Sequence, residues 1–426
     1  MGKRPLRARL ATTVAGAAGR VSRLSGRGDG SVIGGVVGLR MEPDLLRLLA
    51  ADRQIVLVTG TNGKTTTTRL ITAALGALGL QVASNAFGAN MEAGLASALG
   101  QARSAPFGVL EVDERYLPAM IGATDPKVVT LLNLSRDQMD RAAEIWLVAR
   151  RWREALADAP GVQVVANADD PLIAWAASAA KRVTWVAAGQ RWHEDSWCCP
   201  ECGSHLSRDD LGWRCGECGF ARPAARWVLA GESVVDATGR VRELSLALPG
   251  RANRANAVVA LAVAQYFGVD LDQALPRLRE VTSVAGRYTQ LERNGRRLRL
   301  LLAKNPAGWL EAFDVLSPPP SPVLLAVNAR GPDGRDTSWL WDVDYRVLRG
   351  RPVLVAGERR LDLAVRLEAD EVEFELADGV DDAVAKVPPG ALDVIANYTA
   401  FQQIRTALGR AQCPARATVR RRAACG

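Results

Sequence analysis

The stretch Ile55-Val56-Leu57-Val58-Thr59-Gly60-Thr61-Asn62-Gly63-Lys64-Thr65 decides the fold. An apolar run leads directly into two glycines, a lysine and a threonine, which is typical of a buried strand that ends in a phosphate-binding loop and continues as a helix. Gly60 and Gly63 permit a tight turn whose N–H groups converge on an anion. We therefore expect ATP to bind at residues 59–65, called the phosphate loop below.

Each polar residue of the phosphate loop has an expected role. Lys64 would reach the outer phosphates, and the Thr65 hydroxyl would ligate Mg²⁺. Only two residues separate Gly60 from Gly63, whereas a Walker loop has four at this point. A ligand-free turn is the alternative, but Gly-Lys-Thr in this context has few other uses. The predicted nucleotide-binding residues here are Gly60, Thr61, Asn62, Gly63, Lys64, Thr65 and Thr66.

The composition of the 426 residues limits the partners and the compartment. The length allows two or three domains. The net charge of +8 comes from arginine and suits nucleic acid, phospholipid headgroups or a polyphosphate, although an arginine-rich genome would give the same count. Four of the seven cysteines form a metal pattern and three do not, so no disulfide framework is expected. No secretory signal is visible, and we expect a cytoplasmic protein.

Residues 1–48 are predicted to form a basic helix and a linker. Arginines alternate with apolar residues at helical spacing, which permits two interpretations: a helix on the inner face of an anionic membrane, or a helix packed on the next domain. Residues 26–35 are expected to be a flexible break. The recurring apolar residues are Leu6, Leu10, Val14, Ala17, Val21 and Leu24.

Residues 49–285 are predicted to form the central domain, in which residues 51 to about 190 alternate strand and helix patterns, and this alternation predicts a parallel α/β sheet covered on both faces. Nucleotide would then lie at the carboxyl ends of the strands. A smaller α/β domain is expected over 286–410, with a basic tail at 411–426. The predicted strands are 55–58, 107–112, 128–132, 162–166 and 183–187, and the predicted helices are 64–79, 91–102, 141–157, 171–180 and 254–267.

A second apolar strand ends in carboxylates at Glu111-Val112-Asp113-Glu114. A carboxylate beside a phosphate loop is where a Mg²⁺ ligand belongs, and Glu111 is the first choice. The polar segment 133–141 follows the next strand, where nucleotide or substrate would lie.

Two Cys-x-x-Cys pairs lie within an insert over about 193–227. Four thiolates at this spacing predict tetrahedral zinc, and a closed four-sulfur shell makes that zinc structural. The insert adds few positive charges, so we expect no nucleic-acid partner. The predicted ligands are Cys199, Cys202, Cys215 and Cys218.

The only histidines, His193 and His205, both lie at this insert. Chemistry at the phosphate loop must then proceed without histidine. A cysteine glutaminase within this chain would lack its base, so ammonia from glutamine would have to come from another protein.

Together these motifs resemble the Mur ligase family of ATP-dependent carboxylate-activating enzymes. Residues 58–67 look like its ATP loop and 111–114 like its magnesium strand. Asn256 falls where the central domain of the family contacts adenine, and Arg287 looks like its nucleotide-contacting arginine. The resemblance implies a central ATPase domain with a parallel sheet, here with a zinc-ribbon insert, followed by a smaller C-terminal α/β domain.

Within that family the resemblance narrows to a branch that amidates lipid II, on the evidence of residues 136–141, 302–308, 333–339 and the cysteine insert. It implies phosphorylation of the α-carboxylate of D-glutamate in the stem peptide, followed by attack of ammonia to give D-isoglutamine. Ammonia would come from a GatD-type glutaminase partner, whose catalytic triad Asp336 would complete. The implied catalytic residues are therefore Lys64, Glu111 and Asp336.

Two residues depart from the family pattern. Gln138 stands where Mur ligases usually carry histidine, and Ala329 stands where an aspartate is expected. The alternatives are a Mur-type or folylpolyglutamate-type amino-acid ligase that acts alone, which would need no glutaminase, and a zinc-ribbon ATPase that nucleic acid would stimulate.

Overall fold

The computed structural model forms two compact units, residues 1–285 and 286–426. Each unit is built on its own sheet. The residues that the structure describes are 5–24, 31–85, 89–137, 144–283 and 288–410.

The first unit contains a nine-stranded sheet in the order β11-β10-β9-β6-β5-β4-β1-β3-β2. Strands β1 to β6 and β9 pair in parallel, and β9, β10 and β11 pair antiparallel at one edge. Strands β7 and β8 form a separate hairpin in the cysteine insert. The strands are β1 Gln54–Thr59, β2 Val82–Ser84, β3 Phe107–Glu111, β4 Val128–Leu131, β5 Gln163–Asn167, β6 Arg182–Ala187, β7 Leu206–Asp209, β8 Gly212–Cys215, β9 Trp227–Ala230, β10 Ser233–Val235 and β11 Val241–Glu243.

Helices cover both faces of this sheet, as the alternating pattern predicts. On β1, Ile55 and Leu57 belong to one core, and Val56 and Val58 belong to the core on the other face. Two-sided burial explains why the strand is an unbroken apolar run. The helices are α1 Leu6–Leu24, α2 Ser31–Met41, α3 Leu45–Ala50, α4 Lys64–Leu75, α5 Glu92–Gln101, α6 Leu117–Thr124, α7 Ile145–Ala157, α8 Pro171–Ala177, α9 Arg251–Tyr266 and α10 Leu271–Arg279.

The N-terminal helices α1 and α2 form a hairpin that packs on α5. The expectation of a flexible break over 26–35 is wrong for residues 31–35, which form the first turns of α2. The glycines there provide close packing instead of flexibility, because a methyl group on Gly35 would lie 1.7 Å from the carbonyl oxygen of Ala93 in α5. Arg7 Nε donates to the Met41 carbonyl at 2.7 Å and ties the two ends of the hairpin together.

The second unit contains a six-stranded sheet in the order β12-β13-β17-β14-β15-β16, in which only the β12–β13 pair is antiparallel. Its strands are β12 Tyr288–Arg293, β13 Arg296–Leu302, β14 Val323–Ala326, β15 Val353–Ala356, β16 Glu375–Leu376 and β17 Gly390–Ala396. Its helices are α11 Pro306–Phe313, α12 Arg360–Ala369, α13 Val380–Lys386 and α14 Tyr398–Arg410. Apolar clusters fill both faces of this sheet.

Among the described residues, no helix is both long enough and apolar enough to cross a membrane.

Two glycines of the hairpin provide a matched test of its packing. Gly35→Ala is expected to lower the free energy of unfolding by about 1–3 kcal/mol, because the new methyl group must push α2 away from α5. Gly16→Ala in α1 meets no atom within 4 Å and is expected to stabilise by up to about 1 kcal/mol through helix propensity. Urea unfolding of both variants measures the difference, and equal effects would contradict the close helix contact.

Candidate functional site

The phosphate loop joins β1 to α4 at the carboxyl edge of the sheet. Gly60 has φ 140° and Gly63 has φ 85°, a region that side chains disfavour, so both positions require glycine. Gly63 is the N-cap of α4. The first N–H groups of a helix have no partner within it, so those of Lys64, Thr65 and Thr66 face the loop as donors for an anion.

Lys64 is buried in this loop with its charge paired. Its Nζ donates to the Gly60 carbonyl at 2.6 Å and to Glu114 Oε1 at 2.9 Å. Only 4% of the residue is exposed. A buried ammonium group needs such partners, and a phosphate oxygen in the loop would provide another.

Thr65 and Glu111 present the oxygen atoms that Mg²⁺ prefers. Thr65 Oγ1 donates to Glu111 Oε2 at 2.7 Å. Adjacent ligands of an octahedral Mg²⁺, each about 2.1 Å from the ion, lie about 3.0 Å apart, so only a small separation of this pair is needed to fit the ion. Asn85 fixes the strand end, since its Nδ2 donates to the Glu111 carbonyl at 2.8 Å and its Oδ1 accepts from the Glu111 N–H at 2.7 Å. Sequence reasoning missed Asn85, which directly follows the three-residue strand β2.

The predicted polar segment after β4 holds the phosphate loop from one side. The backbone N–H of Asn62 donates to Asn133 Oδ1 at 2.9 Å, and Asn133 Nδ2 donates back to the Asn62 carbonyl at 3.1 Å. Thr61 Oγ1 accepts from the backbone N–H of Ser135 at 3.0 Å. Thr61, Asn62 and Asn133 therefore set the shape of the loop.

Asn256, on α9, lies against the same loop. A methyl group on Gly63 would lie 2.7 Å from Asn256 Oδ1. The structure therefore brings the loop residues Gly63, Lys64 and Thr65 together with Glu111 and Asn256, which are far from the loop in the sequence.

The four predicted zinc ligands form one cluster. Their sulfur atoms lie within 4.8 Å of one another, with Cys199–Cys218 at 3.6 Å and Cys202–Cys215 at 3.5 Å. Tetrahedral zinc with sulfur at about 2.3 Å places its ligands about 3.8 Å apart, so the cluster fits this ion. Cys198 is exposed and stands outside the cluster.

Tryptophan side chains attach the cysteine insert to the rest of the first unit. The sequence analysis did not predict these contacts. Trp146 Nε1 donates to the Pro200 carbonyl at 3.2 Å, and Trp175 Nε1 donates to Glu201 at 2.6 Å. Trp213 Nε1 donates to the Ala168 carbonyl at 3.1 Å. The indoles of Trp146 and Trp175 hold residues beside the first cysteine pair, and the indole of Trp213 holds the residue that follows β5.

The insert region also contacts the polar segment beside the phosphate loop. Asp195 accepts from the backbone N–H of Arg136 at 3.0 Å and forms an ion pair with the Arg136 guanidinium.

Asp170, which precedes the insert, also holds the polar segment: it accepts from the N–H of Leu134 at 2.9 Å and caps α8. Burial raises the pKa of Asp170 to about 6.

In the second unit, Asp336 lies in an exposed turn before a short 3-10 helix at Ser338–Asp342. It accepts from the backbone N–H of Ser338 at 2.8 Å. That hydrogen bond lowers the pKa of Asp336, so the carboxylate is ionised at neutral pH. An exposed and ionised carboxylate is available to a group outside this unit.

A polar network joins the carboxyl ends of β14, β15 and β17 in the same unit. Asn328 and Asn397 exchange hydrogen bonds, and the N–H of Glu358 donates to Asn328 Oδ1 at 2.9 Å. Arg330 forms an ion pair with Glu358 at 2.6 Å. The sequence drew attention to Ala329 here, and in the structure its neighbours Asn328 and Arg330 make the side-chain contacts of this loop.

Comparison with known proteins assigns the chain to a family. The model of the Mur ligase middle domain matches residues 58–264, and the model of the MurT ligase C-terminal region matches residues 302–401. Subunit MurT of lipid II isoglutaminyl synthase (glutamine-hydrolyzing) from Streptococcus pneumoniae is 32% identical, over 84% of this chain and 87% of that protein. The chain belongs to the MurT family of Mur-type ligases.

Further comparisons agree with this family. The MurT subunit from Staphylococcus aureus (strain COL) is 29% identical over 92% of this chain and 95% of its own length. A pseudomurein peptide ligase type C from Methanothermus fervidus shares the fold with a TM-score of 0.67, at 19% identity over 87% of this chain and 81% of the other. The predicted fold, with a Mur ligase-type ATPase domain and a smaller C-terminal α/β domain, is confirmed. The family implies ATP and Mg²⁺ as cofactors.

Two predicted positions lie outside the described residues: Arg287, expected to contact nucleotide, and Gln138, which replaces the usual histidine. The roles of both stay predictions.

Cys198, next to the cysteine cluster in the sequence, provides a matched control for a test of zinc binding. Cys215→Ser is expected to release bound zinc and lower the unfolding temperature, because three sulfur ligands hold the ion more weakly than four. Cys198→Ser is expected to keep one zinc per chain and the original unfolding temperature. Metal analysis and thermal unfolding measure both quantities, and zinc loss from Cys198→Ser would reject the assignment of the four ligands.

Proposed function

We propose that this chain is the ligase subunit of a lipid II isoglutaminyl synthase. In this reaction ATP phosphorylates the α-carboxylate of D-glutamate in the lipid II stem peptide, and ammonia replaces the phosphate to give D-isoglutamine. The observation that carries the proposal is the match to MurT subunits along most of the chain, with a phosphate loop of fitting geometry at its centre. No feature of the described residues favours a ligase that acts alone on an amino acid.

The residues at the phosphate loop suit carboxylate activation. A carboxylate oxygen can be displaced only after phosphorylation has made it part of a good leaving group. The enzyme must therefore stabilise negative charge on the phosphoryl group during its transfer. Lys64 lies at the loop with its Nζ already oriented by Gly60 and Glu114. Mg²⁺, when bound by Thr65 and Glu111, would supply further positive charge to the same oxygens.

The remaining contacts would position the nucleotide. The loop residues from Gly60 to Thr66 would bind its phosphates through their N–H groups, and Asn256 would contact it from α9. Arg287 is proposed as an additional nucleotide contact. Zinc at the four cysteines is proposed to be structural, because no ligand position would remain open.

A GatD-type glutaminase is the proposed source of ammonia. The chain has two histidines, both at the cysteine insert, so residues 286–426, which include Asp336, contain no histidine that could act as the base of a cysteine glutaminase. Asp336 is exposed and ionised, as a carboxylate must be to orient a histidine on another protein. Because ammonia must arrive as the free amine, a sheltered path from the partner is better than capture from water.

The substrate sets the place of the reaction. Lipid II is a lipid, so we propose that the enzyme acts at the inner face of the cell membrane.

Amidation of lipid II tests the proposed function. Purified chain, mixed with a GatD-type glutaminase, ATP, Mg²⁺ and glutamine, is expected to convert the stem peptide carboxylate to an amide, detected by mass spectrometry. Lys64→Ala is expected to lower the rate about 100-fold or more while co-purification with the glutaminase persists. Lys127→Ala, which changes an exposed lysine, is the control. Turnover of ATP with a free amino acid and no glutaminase would instead favour the stand-alone ligase.

Glutamine hydrolysis by the partner tests the proposed role of Asp336 in the catalytic triad. Asp336→Asn is expected to lower glutamine hydrolysis by the glutaminase about 100-fold, because a neutral amide does not stabilise the histidinium of the triad. Asp344→Asn is the control, since Asp344 is an ionised carboxylate eight residues further along the chain, paired with Arg346. Amidation driven by added ammonia should survive in both variants. An unchanged glutaminase rate in Asp336→Asn would end the shared-triad proposal.

A further inference from the structure

The helices α1 and α2 bury their small residues and expose their large apolar ones. In α1 the buried residues are Ala8, Ala11, Thr12, Gly19 and Ser22. In α2 the buried residues Gly34, Gly35 and Gly38 face α1 and α5. The large apolar residues on which the sequence interpretation relied point away from the unit, so packing does not explain them.

These exposed residues form a narrow stripe on each helix. In α1, Leu6 is 73% exposed and Leu24 is 88% exposed, and the spacing of the apolar residues by three, four and seven places them on one face. In α2, Val32, Val36 and Ile33 are exposed on the face opposite the glycines. We call the exposed residues of both helices the hairpin stripe: Leu6, Leu10, Val14, Val21, Leu24, Val32, Ile33 and Val36.

Positive charge is concentrated at the same place. In sequence, residues 1–41 contain eight lysine or arginine residues and one aspartate, and five of the arginines lie in α1 and α2. Neither α1 nor α2 contains an acidic residue. Arg7 flanks the stripe of α1 on one side, and Arg9, Arg20 and Arg23 lie on the other.

A cleft of about 420 Å³ lies beside α1 and extends the basic surface. Arg20 and Arg23 of α1 and Arg103 after α5 line it, together with the hydroxyls of Thr12 and Ser97. Leu45 and Leu49 of α3 contribute its apolar lining. Guanidinium and hydroxyl groups above an apolar floor suit the phosphate and first carbons of an anionic lipid.

We propose that the hairpin stripe is a docking surface for an anionic lipid bilayer. The aliphatic side chains enter the interface, and the arginines beside them bind headgroup phosphates. This inference rests on the proposed function for its purpose, since the substrate would be reached from the membrane surface. The hairpin is near the catalytic groups: Gly35 packs on Ala93 in the first turn of α5, and Asn90 just before it accepts from the N–H of Asp113 at 3.0 Å.

Vesicle binding of the full-length chain tests the proposal without substrate or ATP. The chain is expected to co-sediment with vesicles that contain phosphatidylglycerol and to stay in solution with pure phosphatidylcholine. Leu6→Ser/Leu10→Ser/Leu24→Ser is expected to weaken binding at least about tenfold, with an unchanged unfolding temperature because all three residues are exposed. Leu211→Ser/Leu361→Ser/Val365→Ser, which changes exposed apolar residues elsewhere, is the matched control and should bind like the original chain.

The arginines give an independent prediction. Arg20→Gln/Arg23→Gln is expected to weaken binding to the anionic vesicles about 25-fold, about fivefold for each charge removed, and high salt should have a similar effect. Full retention of vesicle binding by either hairpin variant would overturn the proposal.

Two other results would also overturn it. If the leucine variant lost self-association in light scattering, the stripe would be an interface between copies of this chain. If it lost co-purification with the glutaminase, the stripe would belong to that complex. Amidation of a water-soluble lipid II analogue separates the two proposals: it should be unchanged in the hairpin variants, and its absence in the original chain would reject the proposed function while the vesicle result stands.

Discussion

Two buried charges at one strand edge constrain the first unit. Lys64 and Glu111 are almost fully buried, and neither would be stable there without partners. Lys64 is paired with Glu114, and Glu111 receives the hydroxyl of Thr65. The turn at Gly63, the parallel pairing of β1 with β3 and the fixed end of β3 all serve to hold these groups together. A ligand with both negative charge and a divalent cation satisfies the same groups, which is why this edge suits Mg²⁺-bound ATP.

The sequence predicted the elements that carry strong local signals. The five central strands were predicted because two-sided burial makes their apolar runs unbroken. The helix after the phosphate loop was predicted because glycines mark the turn that precedes it. The short strand β2 and the antiparallel strands β9 to β11 were missed, since three or four residues carry no periodicity. For the hairpin, the helical spacing of leucines predicted α1 correctly. The glycines of α2 suggested a break, because a single sequence does not show whether glycine provides freedom or close contact.

The residues of the candidate site also fall into those that a local motif predicts and those that only the fold brings together. Residues within a local motif, such as Lys64, Thr65 and Glu111, were predicted from their place at the ends of apolar strands. Asn85 and Asp195 were not, because each binds a residue that is distant in sequence and is brought close only by the fold. In the second unit, the network around Asn328 was missed for the same reason. Long-range polar contacts of this kind have no sequence period, so only the structure shows them.

The tryptophans that attach the cysteine insert have an optical consequence. Trp175 and Trp213 lie beside the two cysteine pairs, and both indoles donate hydrogen bonds that depend on the position of the insert. Indole emission shifts to longer wavelength when water replaces a protein partner. The fluorescence of Trp175 and Trp213 therefore reports, without an added label, whether the insert is packed against the rest of the first unit.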